Sequence, residues 1–284
     1  MKTILITGQN GYVGNHLEKA FRKHHHVIRT NVKSHEWKNE DWSHIDVVIH
    51  AAALVHNNQP DATMEDYMKI NYALTKDIAV KAKSSGIKQF IFLSTANVYG
   101  MTGEVGEDVF ITPETPIQPR TAYGISKMYA ERALNDMSSP QFKVAHIRPP
   151  MIYGPHAPGN FNKLEKVAKY LPIVPDIQNQ RSAIYIGHLS RFLSVLIDKG
   201  DGGIYHPQDG FDLNTTRVIQ TIRHILGKHT MTIPIPSLCL KWLNHIGIAR
   251  KLYGNLKYDD TLDHHSISYH QDDFYTVMKK TLNL

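Results

Sequence analysis

Residues 2–14 read Lys2-Thr3-Ile4-Leu5-Ile6-Thr7-Gly8-Gln9-Asn10-Gly11-Tyr12-Val13-Gly14, and this stretch decides the fold. Lys2–Thr7 is a short β-branched apolar run of strand length that stops at a glycine, and from Val13 to Arg22 apolar residues recur at helical spacing. The order is therefore strand, turn, helix. The three glycines of the turn have separate tasks: one permits a tight turn, one lets backbone approach a pyrophosphate, and one lets the helix pack closely on the strand. The helix N-terminus adds free N–H groups and the positive end of its dipole. A glycine triplet in this setting predicts a dinucleotide site built from Gly8, Asn10, Gly11, Tyr12, Val13 and Gly14.

Outward from the turn, strand patterns at Val27–Thr30, Asp46–His50, Gln89–Leu93 and Lys143–Ile147 alternate with helical patterns at Met64–Ser84 and from Tyr123 to Met137. Parallel neighbours need a helical crossover, so this alternation predicts an α/β fold with a doubly wound parallel sheet. Proline and glycine then cluster through Pro149–Pro158. The expected division is a dinucleotide-binding domain over 1–154 and a smaller, interleaved substrate-capping domain over 155–284. Ser182–Ile186 and Gly203–His206 resemble strands that return to the main sheet, so segments about 182–212 are expected to rejoin the first domain.

With 284 residues, 42% of them hydrophobic, the chain can bury one large core or a large and a small one, which argues against disorder. Apolar stretches such as Ile4–Thr7 and Val47–Val55 fall short of the ~18 residues of a membrane span, and Met1–Thr7 runs into the glycine turn without a signal-peptide pattern. The single cysteine, Cys239, cannot form an internal disulfide. These features predict a cytoplasmic protein with no membrane partner. The net charge of +6 comes from scattered Lys and Arg, which predicts no nucleic-acid partner and suits anionic small molecules. Among 18 histidines, His24-His25-His26 cannot converge from one face, and no metal is expected.

A carboxylate at the end of the second strand would bond a ribose 2′-hydroxyl and repel a 2′-phosphate. None is present. Arg29, Thr30, Asn31 and Lys33 stand there instead, which inclines the cofactor to NADP(H), although Asn31 can bond the plain ribose of NAD(H) and Arg29 and Lys33 could simply face solvent.

A tyrosine and a lysine four apart share one helix face, so the ammonium can lower the phenol's pKa. The spacing occurs at Tyr72/Lys76, Tyr123/Lys127, Tyr253/Lys257 and Tyr275/Lys279. Context selects Tyr123/Lys127, because it opens a helix after the strand that ends in Ser94-Thr95, and strand ends at one sheet edge face the same crevice as the glycine turn. Thr95, Tyr123 and Lys127 are the candidate catalytic residues.

In addition to Gly8, Gly11 and Gly14, the sequence carries His50-Ala51-Ala52-Ala53, Asn71, Ser94-Thr95-Ala96-Asn97-Val98-Tyr99-Gly100, Arg148-Pro149-Pro150-Met151-Ile152-Tyr153-Gly154-Pro155 and Arg181 in one order. That order resembles the extended short-chain dehydrogenase/reductase family of nucleotide-sugar epimerases, dehydratases and reductases along essentially the whole chain. The resemblance implies cofactor contacts at Ala52, Ala53, Asn71, Pro150 and Asn31, and contacts to a UDP-linked sugar at Asn97, Met151, Asn160, Arg181 and Lys251, with Arg250 as an alternative to Lys251 and a surface ion pair as the alternative for Arg181. It also implies a homodimer through the helices at Met64–Ser84 and Tyr123–Met137. The sequence departs from the family at the second strand, and at His188, where an aspartate is common. Ala52–His56, Asn179–Ala183, Tyr205–Asp209 and Leu252–Leu256 most resemble the 4-ketoreductases of capsule and O-antigen synthesis, which act on UDP-4-keto-6-deoxy-N-acetylhexosamines. A UDP-sugar 4-epimerase is the nearest rival. A 4,6-dehydratase fits less well, because Ala96 and Asn97 follow Thr95 where that chemistry needs an acid. A non-catalytic dinucleotide sensor is the reading from a different class.

Overall fold

A computed structural model describes residues 1–55, 61–262 and 268–284, so His56 lies outside the described residues. In chain order the elements are β1 (Thr3–Thr7), α1 (Tyr12–Phe21), β2 (His26–Thr30), β3 (Val47–His50), α2 (Met64–Tyr67), α3 (Leu74–Ser84), β4 (Gln89–Leu93), β5 (Phe110–Ile111) and α4 (Ala122–Met137). There follow β6 (Lys143–Ile147), β7 (Met151–Tyr153), α5 (Asn160–Tyr170), β8 (Ile173–Asp176), β9 (Ala183–Tyr185), α6 (Ile186–Lys199), β10 (Gly203–Tyr205) and α7 (Thr215–Ile225). The chain ends with β11 (Met231–Pro234), α8 (Ser237–Leu243), α9 (Gly247–Tyr253), β12 (Lys257–Tyr258) and α10 (Phe274–Thr281).

The main sheet has six parallel strands in the order β2-β1-β3-β4-β6-β10. Every residue of β3 and β4 is buried, as strands covered on both faces must be. Period-two alternation splits the core: Ile4 and Ile6 join Leu17, Phe21, Leu189 and Phe192 on one side, while Leu5 joins Ile78, Ala82, Ala130 and Leu134 on the other. This is the Rossmann-like α/β architecture that the sequence predicts. Of the two returning strands, Gly203–Tyr205 does close the main sheet beside β6, whereas Ala183–Tyr185 pairs with Met151–Tyr153 in a separate two-stranded sheet. The pairs β8–β11 and β5–β12 lie in the C-terminal layer with α5, α7, α8 and α9.

The helix expected over Met64–Ser84 is not uniform. Met68–Ala73 forms a π-helical segment between α2 and α3, and it turns Asn71 fully inward. A wide turn of this kind inserts one residue into a helix and commonly marks a functional region. Asn71 Oδ1 accepts the Leu54 N–H at 2.7 Å, and its Nδ2 donates to Leu54 O at 3.0 Å and Ser126 Oγ at 3.1 Å. It thereby fastens the loop after β3 to α4.

At His188 the consequence is local. Helix α6 has no side-chain cap, and the Tyr185 N–H is taken by Asp209 Oδ1 at 3.0 Å, with His188 Nδ1 2.7 Å from the same oxygen. His188, Asp209 and His270 each bring a possible metal-ligating atom within 4.8 Å of the others, but His188 and Asp209 are bonded to each other, and Arg191 and Lys280 hold the neighbouring Asp272. The His188–Asp209 hydrogen bond and the Asp272 ion pairs together lock α6 to the C-terminal segment.

The centre of the molecule holds one buried ion pair. Arg148 Nη2 lies 2.6 Å and Nε 3.0 Å from the two carboxylate oxygens of Glu131, and both side chains are about as buried as apolar core residues, at 5% and 3% exposure. Glu131 also accepts a short hydrogen bond from Ser94, and Arg148 donates to Tyr99 Oη, itself 2.7 Å from His206 Nε2. Burial pushes the Glu131 carboxyl up, but the hydrogen bonds and charge of Arg148 outweigh it and hold the group below the usual range. Removing one member strands the other charge in low dielectric. Glu131→Ala is expected to cost about 3–5 kcal/mol in urea unfolding, and Glu131→Gln measurably less; a loss under about 1 kcal/mol for the alanine variant would show that the pair is not what holds α4 to the sheet.

Candidate active site

The sheet's carboxyl edge presents the glycine turn first. Gly8 has φ +88°, and a Cβ there would lie 3.2 Å from Ala52 Cα, so the turn and the loop after β3 touch backbone to backbone. Gly11 precedes α1, which has no side-chain cap, and a Cβ on it would find no atom nearer than 4.0 Å. The first turn of α1 therefore keeps its N–H groups uncovered beside open space, which fits a pyrophosphate. Asn10 is exposed at this rim, and Tyr12 and Val13 pack inward against the core. Ala52 and Ala53 are part-exposed along the facing loop.

Three residues at the cofactor end have partners within the chain. Asn71 spends both amide hydrogens and one acceptor site of its oxygen on Leu54 and Ser126, and so holds the loop that carries Ala52 and Ala53. Arg29 does not face solvent. Its side chain is 10% exposed and bonds Glu18 Oε2 at 3.1 Å, Asn15 Oδ1 at 3.2 Å and the Gly8 carbonyl. A Cβ on Gly14 would sit 2.8 Å from this guanidinium, so the third glycine makes room for the Arg29 side chain. Asn31 is exposed and folds back to accept the Lys33 N–H at 3.0 Å.

Thr95 follows the end of β4 and caps the turn Ala96–Tyr99, its hydroxyl accepting the Asn97 N–H at 3.2 Å. Thr121 caps α4 in the same manner through the Gly124 N–H at 3.1 Å. A Cβ on Gly124 would lie 2.6 Å from the Asn97 carbonyl oxygen. Only glycine lets the start of α4 lie against that turn, and this approach brings Tyr123 close enough to Thr95 for the threonine hydroxyl to act on its phenol. The expected lowering of the phenol by Lys127 does not occur here. Burial pushes Tyr123 up to about 12, with the Thr95 hydrogen bond opposing. Lys127 is 1% exposed, donates to Leu93 O at 2.7 Å and lies 4.5 Å above the Phe92 ring and 6.0 Å from that of Tyr123. Burial pushes it down to about 7, against the opposing charge of Glu131. The other Tyr/Lys spacings lie elsewhere: Tyr72 packs on Tyr129, Tyr253 is in a separate small core while Lys257 pairs with Asp212 at 2.7 Å, and Tyr275/Lys279 are on α10.

A cavity of about 300 Å³ opens beside Thr95, lined by Asn97, Pro150, Met151, Arg181 and Lys251 among others. Five predicted site residues thus meet Thr95 in one space. The side chain of Asn160 lies outside the described residues. Arg181 Nη1 donates to Gly254 O at 2.9 Å, and among the described residues no carboxylate pairs with Arg181 or Lys251. Sequence reasoning missed Phe161, Leu164, Val218 and Leu252, which form an apolar wall, and Tyr258, whose hydroxyl donates to Arg148 O at 2.6 Å. These come from four different elements with no shared motif, and only the amphipathic spacing of α5 and α7 hints at the wall.

The profile of the NAD dependent epimerase/dehydratase family matches residues 4–206. The chain is similar to a UDP-glucose 4-epimerase of Vibrio cholerae, 29% identical with 91% of this chain and 87% of the other covered. It is also similar to an N-acetyl-α-D-glucosaminyl-diphospho-ditrans,octacis-undecaprenol 4-epimerase of Escherichia coli O157:H7, at 24% identity over 82% and 75% of the two chains. Among solved structures, a UDP-glucuronic acid 4-epimerase from Bacillus cereus in complex with NAD superposes with a TM-score of 0.75 at 18% identity, covering 99% of this chain and 97% of the other. Dependence on a nicotinamide dinucleotide, NAD(H) or NADP(H), accompanies this kinship. With the glycine turn, the alternating sheet and 203 matched residues in agreement, the chain belongs to the NAD dependent epimerase/dehydratase family of enzymes acting on nucleotide sugars.

Proposed function

We propose that the chain moves a hydride at C4 of a UDP-linked hexose, with Tyr123 as the proton donor and acceptor. The observation that carries this is the cavity beside Thr95, which the start of α4 brings Tyr123 close to, and which is lined by two cations without a carboxylate partner among the described residues, Arg181 and Lys251. Bound nicotinamide dinucleotide supplies or accepts the hydride. The chain's own groups manage the proton. As the C4 ketone is reduced, Tyr123 gives its hydroxyl proton to O4, and Thr95 hydrogen-bonds the same oxygen. A phenol held near 12 stays protonated until an oxygen of higher basicity forms, which suits a donor to an alkoxide. Lys127 stands one helical turn below, positioned by Leu93 O to bond the cofactor ribose and to support Tyr123. Gly8, Gly11 and the start of α1 would take the pyrophosphate, Ala52, Ala53 and Pro150 would border the cofactor, and Arg181 and Lys251 the sugar-nucleotide diphosphate, where a guanidinium offers paired donors. With Arg29 occupied, the balance that favoured NADP(H) moves toward NAD(H).

The finer reading is 4-ketoreduction of a UDP-4-keto-6-deoxy-N-acetylhexosamine for capsule or O-antigen precursors, by a cytoplasmic homodimer. The Vibrio cholerae relative, similar over nearly the whole chain, favours a second one: 4-epimerisation with retained NAD. Incubation with the 4-keto sugar and NADH or NADPH separates them. Stoichiometric loss of absorbance identifies a reductase; interconversion of C4 epimers of a UDP-hexose without net cofactor turnover identifies an epimerase. Neither activity with any such sugar would leave the dinucleotide-sensor reading.

Tyr123→Phe is expected to lower kcat by about 10²–10⁴-fold with KM little changed; full activity in this variant would remove Tyr123 from the chemistry. Lys127 makes an opposite trade. Its pKa falls on folding, so the charged form opposes the fold, and between about pH 7 and the ordinary lysine range near 10.5 the unfolded chain holds a proton that the folded chain has shed. Its contribution to stability therefore rises with pH through that window. Lys127→Met should stabilise the ligand-free protein by about 1–2 kcal/mol near pH 6, with the gain shrinking toward pH 10, while activity collapses. A variant that melts earlier at pH 6 would show that the Leu93 hydrogen bond outweighs the buried charge.

A further inference from the structure

Thr30 ends β2, at the place where a carboxylate would read the cofactor ribose and where the sequence has none. The structure brings a carboxylate there from farther along the chain. The loop after β2 runs through a short 3-10 turn, Glu36–Asn39, and returns Glu40 to the strand end, where the buried Thr30 hydroxyl donates to Glu40 Oε1 at 2.9 Å and Oε2 at 3.1 Å. The Thr30 carbonyl accepts the Gly8 N–H at 3.2 Å. One residue therefore joins the carboxylate to the first glycine of the dinucleotide turn.

Glu40 is fixed from several sides. Trp42 Nε1 donates to its Oε2 at 3.0 Å, Lys81 Nζ donates to its carbonyl at 2.7 Å, and its own N–H donates to Trp37 O at 3.3 Å. Trp37 and Trp42 are buried and stack with ring centroids 5.9 Å apart, so they anchor the loop on both sides of the glutamate. Glu40 itself is exposed. Among the described residues no cation pairs with its carboxylate, and the neighbouring Arg29 and Lys38 pair with Glu18 and Asp77 instead. Arg29 and Thr30 project to opposite faces of β2, which keeps the guanidinium away from this carboxylate. An ionised carboxylate offers about four acceptor sites. Thr30 and Trp42 bring one donor hydrogen each, so acceptor capacity is left for hydroxyls of a ligand.

We propose that Glu40, positioned by Thr30 and Trp42, selects NAD(H) over NADP(H): its carboxylate accepts from the adenosine ribose hydroxyls and repels a 2′-phosphate. The inference rests on the dinucleotide lying in the glycine turn, and it gives the shift toward NAD(H) a residue and a cause. Glu40 stands ten residues past Thr30, beyond the strand-end positions Arg29 to Lys33, so no motif spacing points to it. The carboxylate absent from the strand is supplied by the loop.

Calorimetric titration of the full chain with NADH and with NADPH reads the preference without turnover. The parent is expected to bind NADH at least about tenfold more tightly than NADPH. Glu40→Gln keeps an acceptor and removes the charge, and should shrink that ratio by at least about fivefold. Glu36→Gln, which neutralises another exposed carboxylate of the same loop, should leave the ratio unchanged. A glutamate that only tied down the loop would change the melting temperature and both affinities together, without moving their ratio. Should Glu40→Gln fail to fold, Glu40→Asp keeps the charge but withdraws it by one methylene, and should weaken NADH by at least about threefold while NADPH stays weak. Equal affinities in the parent, or a preference for NADPH that would assign the position to exposed Lys33, would overturn the proposal. So would an unchanged ratio in Glu40→Gln, an equal change in Glu36→Gln, or undiminished NADH binding by Glu40→Asp. Binding of neither dinucleotide would remove the cofactor reading itself, and this inference with it.

Discussion

The Glu131–Arg148 pair is the constraint on which the catalytic edge depends. Glu131 belongs to α4, Arg148 follows β6, and Ser94, which Glu131 also holds, immediately precedes Thr95 at the end of β4. Three separate elements are thus fixed to one another at the level of the candidate chemistry, by bonds that tolerate little displacement in a low-dielectric interior. An apolar substitute could fill the same space, but it would not define the rotation of α4 about its axis. That rotation decides whether Tyr123 reaches Thr95. The same pair sets the charge beneath Lys127, since Glu131 lies four residues further along the helix and partly offsets the burial that lowers the lysine.

Burial works against both Tyr123 and Lys127 in the ligand-free chain, raising one and lowering the other, so each is held in its neutral form near pH 7 or close to it. The attractive picture of an ammonium depressing a phenol belongs to spacing alone. In three dimensions Lys127 is buried against Phe92 and Leu93 while Tyr123 packs on Tyr67, and desolvation is the largest cause of both shifts. Active sites commonly retain such costs because the geometry that incurs them is the geometry the reaction needs. Gly124 is a second instance: the helix-weakening residue is required because backbone must pass within contact of the Asn97 carbonyl.

The sheet was legible because parallel strands buried on both faces leave an unambiguous signature, and β4 appears in the sequence with the bounds found in the structure. The candidate pair stood out for a topological reason, since only Tyr123/Lys127 among four equal spacings opens a helix that follows a strand of the main sheet. What stayed hidden were side-chain destinations. Nothing local distinguishes an arginine that awaits a phosphate from one that turns back to Glu18 and the Gly8 carbonyl, as Arg29 does. Asn71 was found as a site position, but its hold on the loop after β3 depends on a π turn that no periodicity of 3.6 reveals. Ala183–Tyr185 has the composition of a returning strand and pairs elsewhere, since three residues of β-branched and aromatic character specify a strand without specifying a neighbour.

Charge placement separates the two halves of the chain more sharply than hydrophobicity does. The carboxylates that neutralise cations in the sheet, Glu18 under Arg29 and Glu131 under Arg148, are internal and paired one to one. In the C-terminal layer residues 213–258 hold no Asp or Glu, and Lys251 of that stretch lines the cavity with Arg181, neither paired with a carboxylate among the described residues. Two unpaired cations facing one cavity repel each other, which suits the cavity to an anionic ligand. A sugar-nucleotide diphosphate can offset Arg181 and Lys251, which line the cavity.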